Sequence, residues 1–157
     1  MDKMPITTTG YQQLEAELKR LKSEERPAII EAISAAREHG DLSENAEYHS
    51  AREKQSFIEG RIADLEDKMA RAEIIDPKKI AGDTVKFSAT IHVVDEDTEE
   101  ELTYQIVGEY EADIDKNMLS LSAPLSRALI GKRVGDSVEV TTPKGSKAYE
   151  ILGISYQ

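Results

Sequence analysis

The chain has 157 residues, no cysteine, and 31 acidic against 20 basic residues, for a formal net charge of −11. This length suits one domain or two small ones, and the lack of cysteine excludes disulfides and thiolate metal sites. The negative charge disfavours simple binding to a phosphate backbone and suits a basic partner surface. With no signal-peptide core and no apolar run near the ~20 residues of a membrane span, we expect a cytoplasmic protein without a membrane partner.

A first long helix is predicted from Tyr11 to His39, after a lead-in in which one of the threonines at residues 7–9 caps it. Its apolar residues recur with helical spacing on one face, with a small shift of register near the middle. Pro27 falls inside this pattern, where it removes one backbone hydrogen bond at a cost of about 3 kcal/mol. We therefore predict one helix that is kinked or locally opened at the proline.

A second helix is predicted from Glu44 to about Glu73, and from Ile58 onward its apolar residues follow the 4-3-4-3 spacing of a heptad seam. Only a few residues connect the two helices, so they should lie antiparallel and bury their apolar stripes against each other. Roughly 29 helical residues reach about 44 Å, which puts the connecting turn at the far tip of a hairpin.

The pattern changes after Asp76-Pro77, because a proline disfavours helix in the residue before it. We predict a boundary here, with residues 1–76 forming the hairpin and residues 77–157 a second domain. Pro124 to Ile130 has the composition of a short helix with proline early and glycine past its end. Alternating or β-branched segments predict strands at residues 83–88, 89–94, 102–107, 118–121, 138–140 and 148–154. The predicted fold class is α+β, an antiparallel coiled-coil hairpin followed by an antiparallel sheet domain with one short helix.

The turn between the helices carries two acidic residues that allow two interpretations. Asp41 and Glu44, three residues apart at a helix start, match a capping-box-like pattern and suit the positive end of the helix dipole. Alternatively, they are ligands for Mg²⁺, which takes one or two protein carboxylates and completes its shell from elsewhere. The interpretations are compatible, because each carboxylate has two oxygens.

Three basic residues, Arg37, Arg52 and Lys54, lie close to this turn in the sequence. They either balance neighbouring glutamates on a solvated face or contact a phosphate beside the metal. Tyr48 either packs in the seam or stacks on a base.

The run from Ala35 to His49, with residues 51–53 and 58–62, resembles the signature of the bacterial transcript-cleavage factors of the GreA type. Residues 124–132 and 134–136 resemble the same family, and the likeness extends over nearly the whole chain in the expected order. It implies a coiled coil that enters the secondary channel of RNA polymerase. It also implies an FKBP-like C-terminal domain that docks at the channel rim.

The resemblance further implies roles for individual residues. Asp41 and Glu44 match the tip acids that help hold the second Mg²⁺ of the polymerase and position a water, so that the polymerase hydrolyses its own backtracked RNA. The chain itself would then be no enzyme, but a monomeric partner of RNA polymerase and of the nascent RNA 3′ end. It would share Mg²⁺ without binding it tightly alone.

In the second domain, the predicted polymerase-docking residues are Ser122, Pro124 and Arg127. Ala123 stands where the family usually has serine.

Three alternatives compete with this interpretation. A related factor that inhibits polymerase from the same channel would have altered tip acids, whereas Asp41 and Glu44 are intact. A prolyl isomerase would need an aromatic-lined site, but the chain has no tryptophan and only two phenylalanines. A structural coiled-coil adaptor would not need an acidic tip.

Overall fold

The computed structural model describes residues 2–40 and 44–157, which form two compact units. One unit consists mainly of residues 11–72, and the other combines residues 3–10 with residues 73–157. This division differs from the predicted boundary after residue 76, because the first residues of the chain belong with the second unit. Within the described residues, no helix combines the length and apolar character that crossing a membrane requires.

In its described residues, the first unit is built from three α-helices and one π-helical turn. Helix α1 spans Thr8–Arg20, the π turn Leu21–Glu25, α2 Arg26–Arg37, and α3 Ala46–Arg71. Pro27 lies in the first turn of α2, and the N–H of Arg26 donates to the carbonyl of Leu21 five residues earlier. A proline lacks an N–H and crowds the carbonyl four residues before it, and the wider π turn relieves this conflict. The predicted local opening at the proline is thus confirmed, and it takes the form of a π turn.

The helices of this unit form an antiparallel hairpin with a narrow apolar seam. Lys22 Nζ lies 3.6 Å from Glu66 Oε1, and Arg26 Nη2 lies 2.8 Å from Glu59 Oε1. Residue numbers therefore rise along one helical arm and fall along the residues that they contact in the other, as expected for antiparallel helices. The prediction of a helical hairpin is confirmed. The buried seam consists of Leu21, Ile29, Ile33, Ile58, Ile62 and Leu65.

The second unit contains two sheets. Strands β1 (Met4–Thr7) and β2 (Ala72–Ile75) form a two-stranded sheet. A five-stranded sheet has the order β5-β4-β3-β7-β6. Its strands are β3 Thr90–Asp95, β4 Glu101–Val107, β5 Met118–Ser120, β6 Ser137–Thr142 and β7 Gly145–Ser155.

The larger sheet agrees with the predicted antiparallel sheet except at one edge and in one segment. Strand β5 pairs parallel to β4, with Gln105 opposite Met118, because residues 108–117 carry the chain back before β5 begins. Residues 83–88 form no strand of this sheet beyond a single bridge from Thr84 to Arg133. Ser88 adopts a left-handed conformation with φ +74°, which interrupts an extended run at that point.

Helix α4 (Pro124–Leu129) packs on the sheet through Leu129, which is fully buried in a core shared with β3, β4 and β7. The helix ends where Gly131 takes φ +87°, so its predicted start at proline and end at glycine are confirmed. The buried core of this unit is formed by Val85, Ala89, Ile91, Val93, Ile106, Leu129, Val138, Tyr149 and Ile151.

The carboxylate of Glu111 binds the start of the chain to the second unit. Its Oε1 accepts from the N–H of Thr7 at 2.8 Å and of Gly108 at 3.1 Å, and its Oε2 accepts from the Thr7 hydroxyl. The Thr7 hydroxyl in turn accepts from the N–H of Gly10 at 3.1 Å and caps α1, as predicted for one of the threonines. A Cβ at position 10 would overlap the Glu111 side chain, which would have to move away from its present contacts with Thr7 and Gly108.

Candidate functional site at the tip of the hairpin

The tip lies between the end of α2 at Arg37 and the start of α3 at Ala46. Asp41, the first of the two predicted acidic ligands, lies outside the described residues. Glu44 is described, and its side chain is exposed directly before α3. The carboxylate chemistry expected at the tip is therefore accessible at Glu44.

Asn45 caps α3 and ties it to α2. Its Oδ1 accepts from the N–H of Tyr48 at 3.0 Å, and its Nδ2 donates to the carbonyl of Ala36 at 2.7 Å. Glu44 comes before this cap and not three residues into the helix, so it is not the second member of a capping box. The capping interpretation of Glu44 is thus wrong for α3, because a better-placed amide side chain performs that role.

Two of the three predicted phosphate contacts meet on one aromatic ring. The guanidinium carbons of Arg37 and Arg52 lie 5.8 and 5.9 Å from the centre of the Tyr48 ring. Arg52 Nη1 also donates to the Tyr48 hydroxyl at 3.1 Å. Hydrogen bonds from Arg37 and then Arg52 lower the pKa of Tyr48, because two cations favour its ionised form. Arg37, Tyr48 and Arg52, named here the arginine–tyrosine cluster, concentrate positive charge beside the acidic turn.

Lys54 is separate from this cluster. It lines a groove with Arg20 and Phe57, on a different face of the hairpin from the groove that contains Arg37 and Arg52. Residues two apart on a helix do not share a face, which explains why Lys54 and Arg52 diverge. The structure therefore unites Arg37 with Arg52 and leaves Lys54 out.

A shallow depression at the tip is lined by His39, Glu44 and residues 45–47. His39 Nε2 lies 3.8 Å from Glu47 Oε2, so Glu47 faces the His39 ring at this depression. In residues 2–40 and 44–157, no three acidic or histidine side chains converge as a metal site would require. Glu44 supplies oxygen donors of the kind Mg²⁺ prefers, which fits one ligand of a shared site.

The predicted docking residues lie on and just before α4. Ser122, Pro124 and Arg127 are all exposed, whereas Ser126 and Leu129 of the same helix are buried. Ala123 occupies the cap position with ψ 145°, and alanine has no hydroxyl to accept from the first turn. Pro124 then begins the helix without needing an N–H partner. All three side chains are accessible, and their role in docking stays a prediction.

Sequence reasoning missed the linking role of Asn45. An asparagine directly before an apolar-periodic helix is a known cap signal, so the cap could have been found. Its bond to Ala36 depends on the approach of two helices and had no local signal.

The chain thus combines two parts: a helical hairpin that carries a carboxylate and two neighbouring arginines at its tip, and a sheet unit. The family model described as "Transcription elongation factor, N-terminal" matches residues 4–74, and "Transcription elongation factor, GreA/GreB, C-term" matches residues 79–156. The chain belongs to the GreA/GreB family of transcription elongation factors.

Curated relatives carry the more specific name transcription elongation factor GreA. Those from Caulobacter sp. strain K31 and Ruegeria pomeroyi are each 65% identical over 156 residues, covering 99% of both chains in each comparison. The crystal structure of GreA factor homolog 1 from Thermus thermophilus is 28% identical, with 97% of this chain and 98% of that one covered and a TM-score of 0.44. A GreA/GreB structure from Nitrosomonas europaea is 25% identical, with coverage of 98% and 100% and the same TM-score.

Proposed function

We propose that this protein binds RNA polymerase, inserts its hairpin into the secondary channel and stimulates cleavage of backtracked RNA by the polymerase. The observation that carries the proposal is the exposed carboxylate of Glu44 at the hairpin tip, beside the arginine–tyrosine cluster. A slim helical element with an exposed carboxylate at its end suits delivery of that group into a narrow channel. The protein would act in the cytoplasm, as a monomer, and not as an enzyme by itself.

Asp41 and Glu44 would hold Mg²⁺ together with the polymerase active site. When bound, Mg²⁺ stabilises the charge that develops on phosphoryl oxygens during hydrolysis. Asn45 fixes the backbone next to Glu44 through two hydrogen bonds, and this limits where the carboxylate can reach. In the polymerase complex, these carboxylates would lie near the scissile phosphate and accept a hydrogen bond from the attacking water.

Arg37 and Arg52 would bind a phosphate of the extruded RNA next to the carboxylates. Arginine suits this contact because its planar donors engage a phosphate in two hydrogen bonds. The cluster offers two cations, so it can grip only one or two phosphates, and the expected cleavage products are a few nucleotides long. Ser122, Pro124 and Arg127 would contact the polymerase at the channel rim.

The test is RNA cleavage in stalled, backtracked polymerase complexes, with and without the full-length protein. We expect wild type to release short 3′ fragments, and Asp41→Asn and Glu44→Gln to lose nearly all stimulation while still competing for polymerase. Glu47→Gln is the matched control, since it removes another carboxylate from the same tip and should keep most activity. Full activity of Asp41→Asn and Glu44→Gln would refute the metal role, and no stimulation by wild type would refute the function.

A further inference from the structure

The arginine–tyrosine cluster joins two elements at the tip. Arg37 is the last residue of α2, whereas Arg52 lies in α3 one turn after Tyr48. Both guanidinium groups lie within 6 Å of the same ring, the distance at which the negative ring face attracts a cation. The Tyr48 hydroxyl adds a hydrogen bond from Arg52 at 3.1 Å. One side chain therefore contacts both predicted phosphate-binding groups.

The position of Tyr48 is itself fixed by the turn. Its N–H donates to the Oδ1 of Asn45, whose Nδ2 holds the carbonyl of Ala36, the residue before Arg37. Tyr48 is partly buried and packs against the apolar seam of the hairpin. The hydrogen bonds of the Asn45 side chain and the contact with the seam thus hold the Tyr48 ring between the two arginines.

The two arginines would behave differently without this ring. Both are permanently charged and exposed, so they repel each other, and each long side chain samples many rotamers. Binding one phosphate with both would then require ordering two flexible groups at once, which lowers affinity. Contact with the Tyr48 ring orders both arginine side chains before the phosphate binds.

We infer that Tyr48 is a positioning residue, whose ring and hydroxyl hold Arg37 and Arg52 in one arrangement for an RNA phosphate. This inference rests on the proposed function, in which those two arginines contact the RNA. Tyr48 acts through them and need not touch the RNA. Its loss should therefore affect the stimulated cleavage rate and its salt dependence, and not the affinity for polymerase.

The experiment measures stimulated RNA cleavage for full-length Tyr48→Leu and Tyr48→Phe over a range of protein and salt concentrations. Tyr48→Leu keeps an apolar side chain for the seam but has no ring face, and we expect the maximal rate to fall about fivefold. The salt dependence should become shallower, by about one unit in a double-logarithmic plot, since phosphate contacts are lost. Tyr48→Phe keeps both ring contacts and should stay within about twofold of wild type.

A second arm repeats Tyr48→Leu in a protein that already carries Arg37→Gln and Arg52→Gln. If Tyr48 acts through the arginines, the leucine substitution has no further effect in that background. A purely structural role would reduce the rate by the same factor in both backgrounds, which overturns the inference even if Tyr48→Leu lowers stability. If Tyr48 instead stacked directly on the RNA, the leucine substitution would also lower the rate in both backgrounds, and this too would overturn the inference. Failure of wild type to stimulate cleavage refutes the proposed function, whereas active wild type with unchanged Tyr48→Leu refutes only this inference.

Discussion

The helical hairpin and the sheet unit bury their apolar residues in different ways. Among its described residues the hairpin has one seam with six buried members, and Ile30 and Phe57 beside it remain 53% and 75% exposed. The sheet unit has a core of nine buried residues, with α4 packed against the sheet. A two-helix seam keeps the hairpin slim and leaves most of its surface in water. The sheet unit gains a thicker core instead.

Because the apolar seam of the hairpin is thin, polar contacts contribute to the order of its tip. Beyond Ile33 and Ala36, the last buried residues of α2, the seam continues within the described tip through the partly buried Tyr48 and Ala51. Order there comes from polar contacts of Asn45 and Tyr48. Such contacts contribute little each, but they leave charged groups accessible at the end of the hairpin.

The largest expected effect is a cavity in the sheet core. Ile151 in β7 is fully buried, so Ile151→Ala should lower the free energy of unfolding by about 4 kcal/mol, since the surrounding strands cannot close the space. Urea unfolding followed by tyrosine fluorescence measures this loss. Leu152→Ala, at a 37% exposed neighbour, is the matched control, and an equal loss there would contradict the assigned core.

A cavity in the seam should cost less, because two helices can move together more easily than a packed sheet. Ile58→Ala, at a 2% exposed position, should cost about 2–3 kcal/mol, and Phe57→Ala at the adjacent exposed position about 0.5 kcal/mol or less. Far-UV circular dichroism during urea unfolding reports on the helices. If Phe57→Ala proved the more costly change, the helix face assigned to the seam would be incorrect.

The Glu111 contacts test where the sheet unit begins. Glu111→Ala leaves the N–H groups of Thr7 and Gly108 without their acceptor, which should cost about 1–3 kcal/mol. Hydrogen exchange of the Thr7 amide should speed up in the variant. Glu109→Ala, at an exposed residue nearby, should leave both quantities unchanged, and the absence of any difference between the two variants would argue against the anchoring of residues 3–10.

The smallest expected effect concerns an ion pair along the hairpin. Arg61 Nη2 lies 2.7 Å from Glu17 Oε1, and its hydrogen bond lowers the pKa of Glu17 below the ordinary value of 4.5. Because the folded-state pKa is depressed, this stabilisation is present above pH 4.5 and is lost as pH falls through the folded pKa. The pair is partly exposed, so the loss should stay under about 1 kcal/mol. Thermal unfolding of Glu17→Gln should show a flatter pH dependence in that acidic range than wild type, and Glu15→Gln should match wild type.

Much of the hairpin could be predicted because its signals are local. Helical spacing of apolar residues indicated the seam, and Pro27 indicated a local opening of the first helix. Helix α4 followed from proline at its start and glycine past its end. These features depend on residues within one or two turns of each other.

The sheet unit was less predictable, because its pairings join distant residues. The parallel pairing of β5 with β4 depends on the path of the intervening residues, and no local pattern separates it from an antiparallel edge. The pairing of β1 with β2 joins segments more than sixty residues apart. Nothing in the sequence distinguished Glu111 from the other acidic residues, because its contact with Thr7 joins residues 104 positions apart.

The sequence by itself determined the hairpin, the short helix, most strands and the acidic and basic residue types at the tip, since periodicity and turn chemistry act over short distances. Only the tertiary structure decided that the capping residue Asn45 also donates to the Ala36 carbonyl, that Arg37 and Arg52 both contact Tyr48, and that Lys54 lies elsewhere. Each of these depends on how closely α2 and α3 approach and on their relative rotation. That geometry follows from packing along the whole seam and not from any single residue.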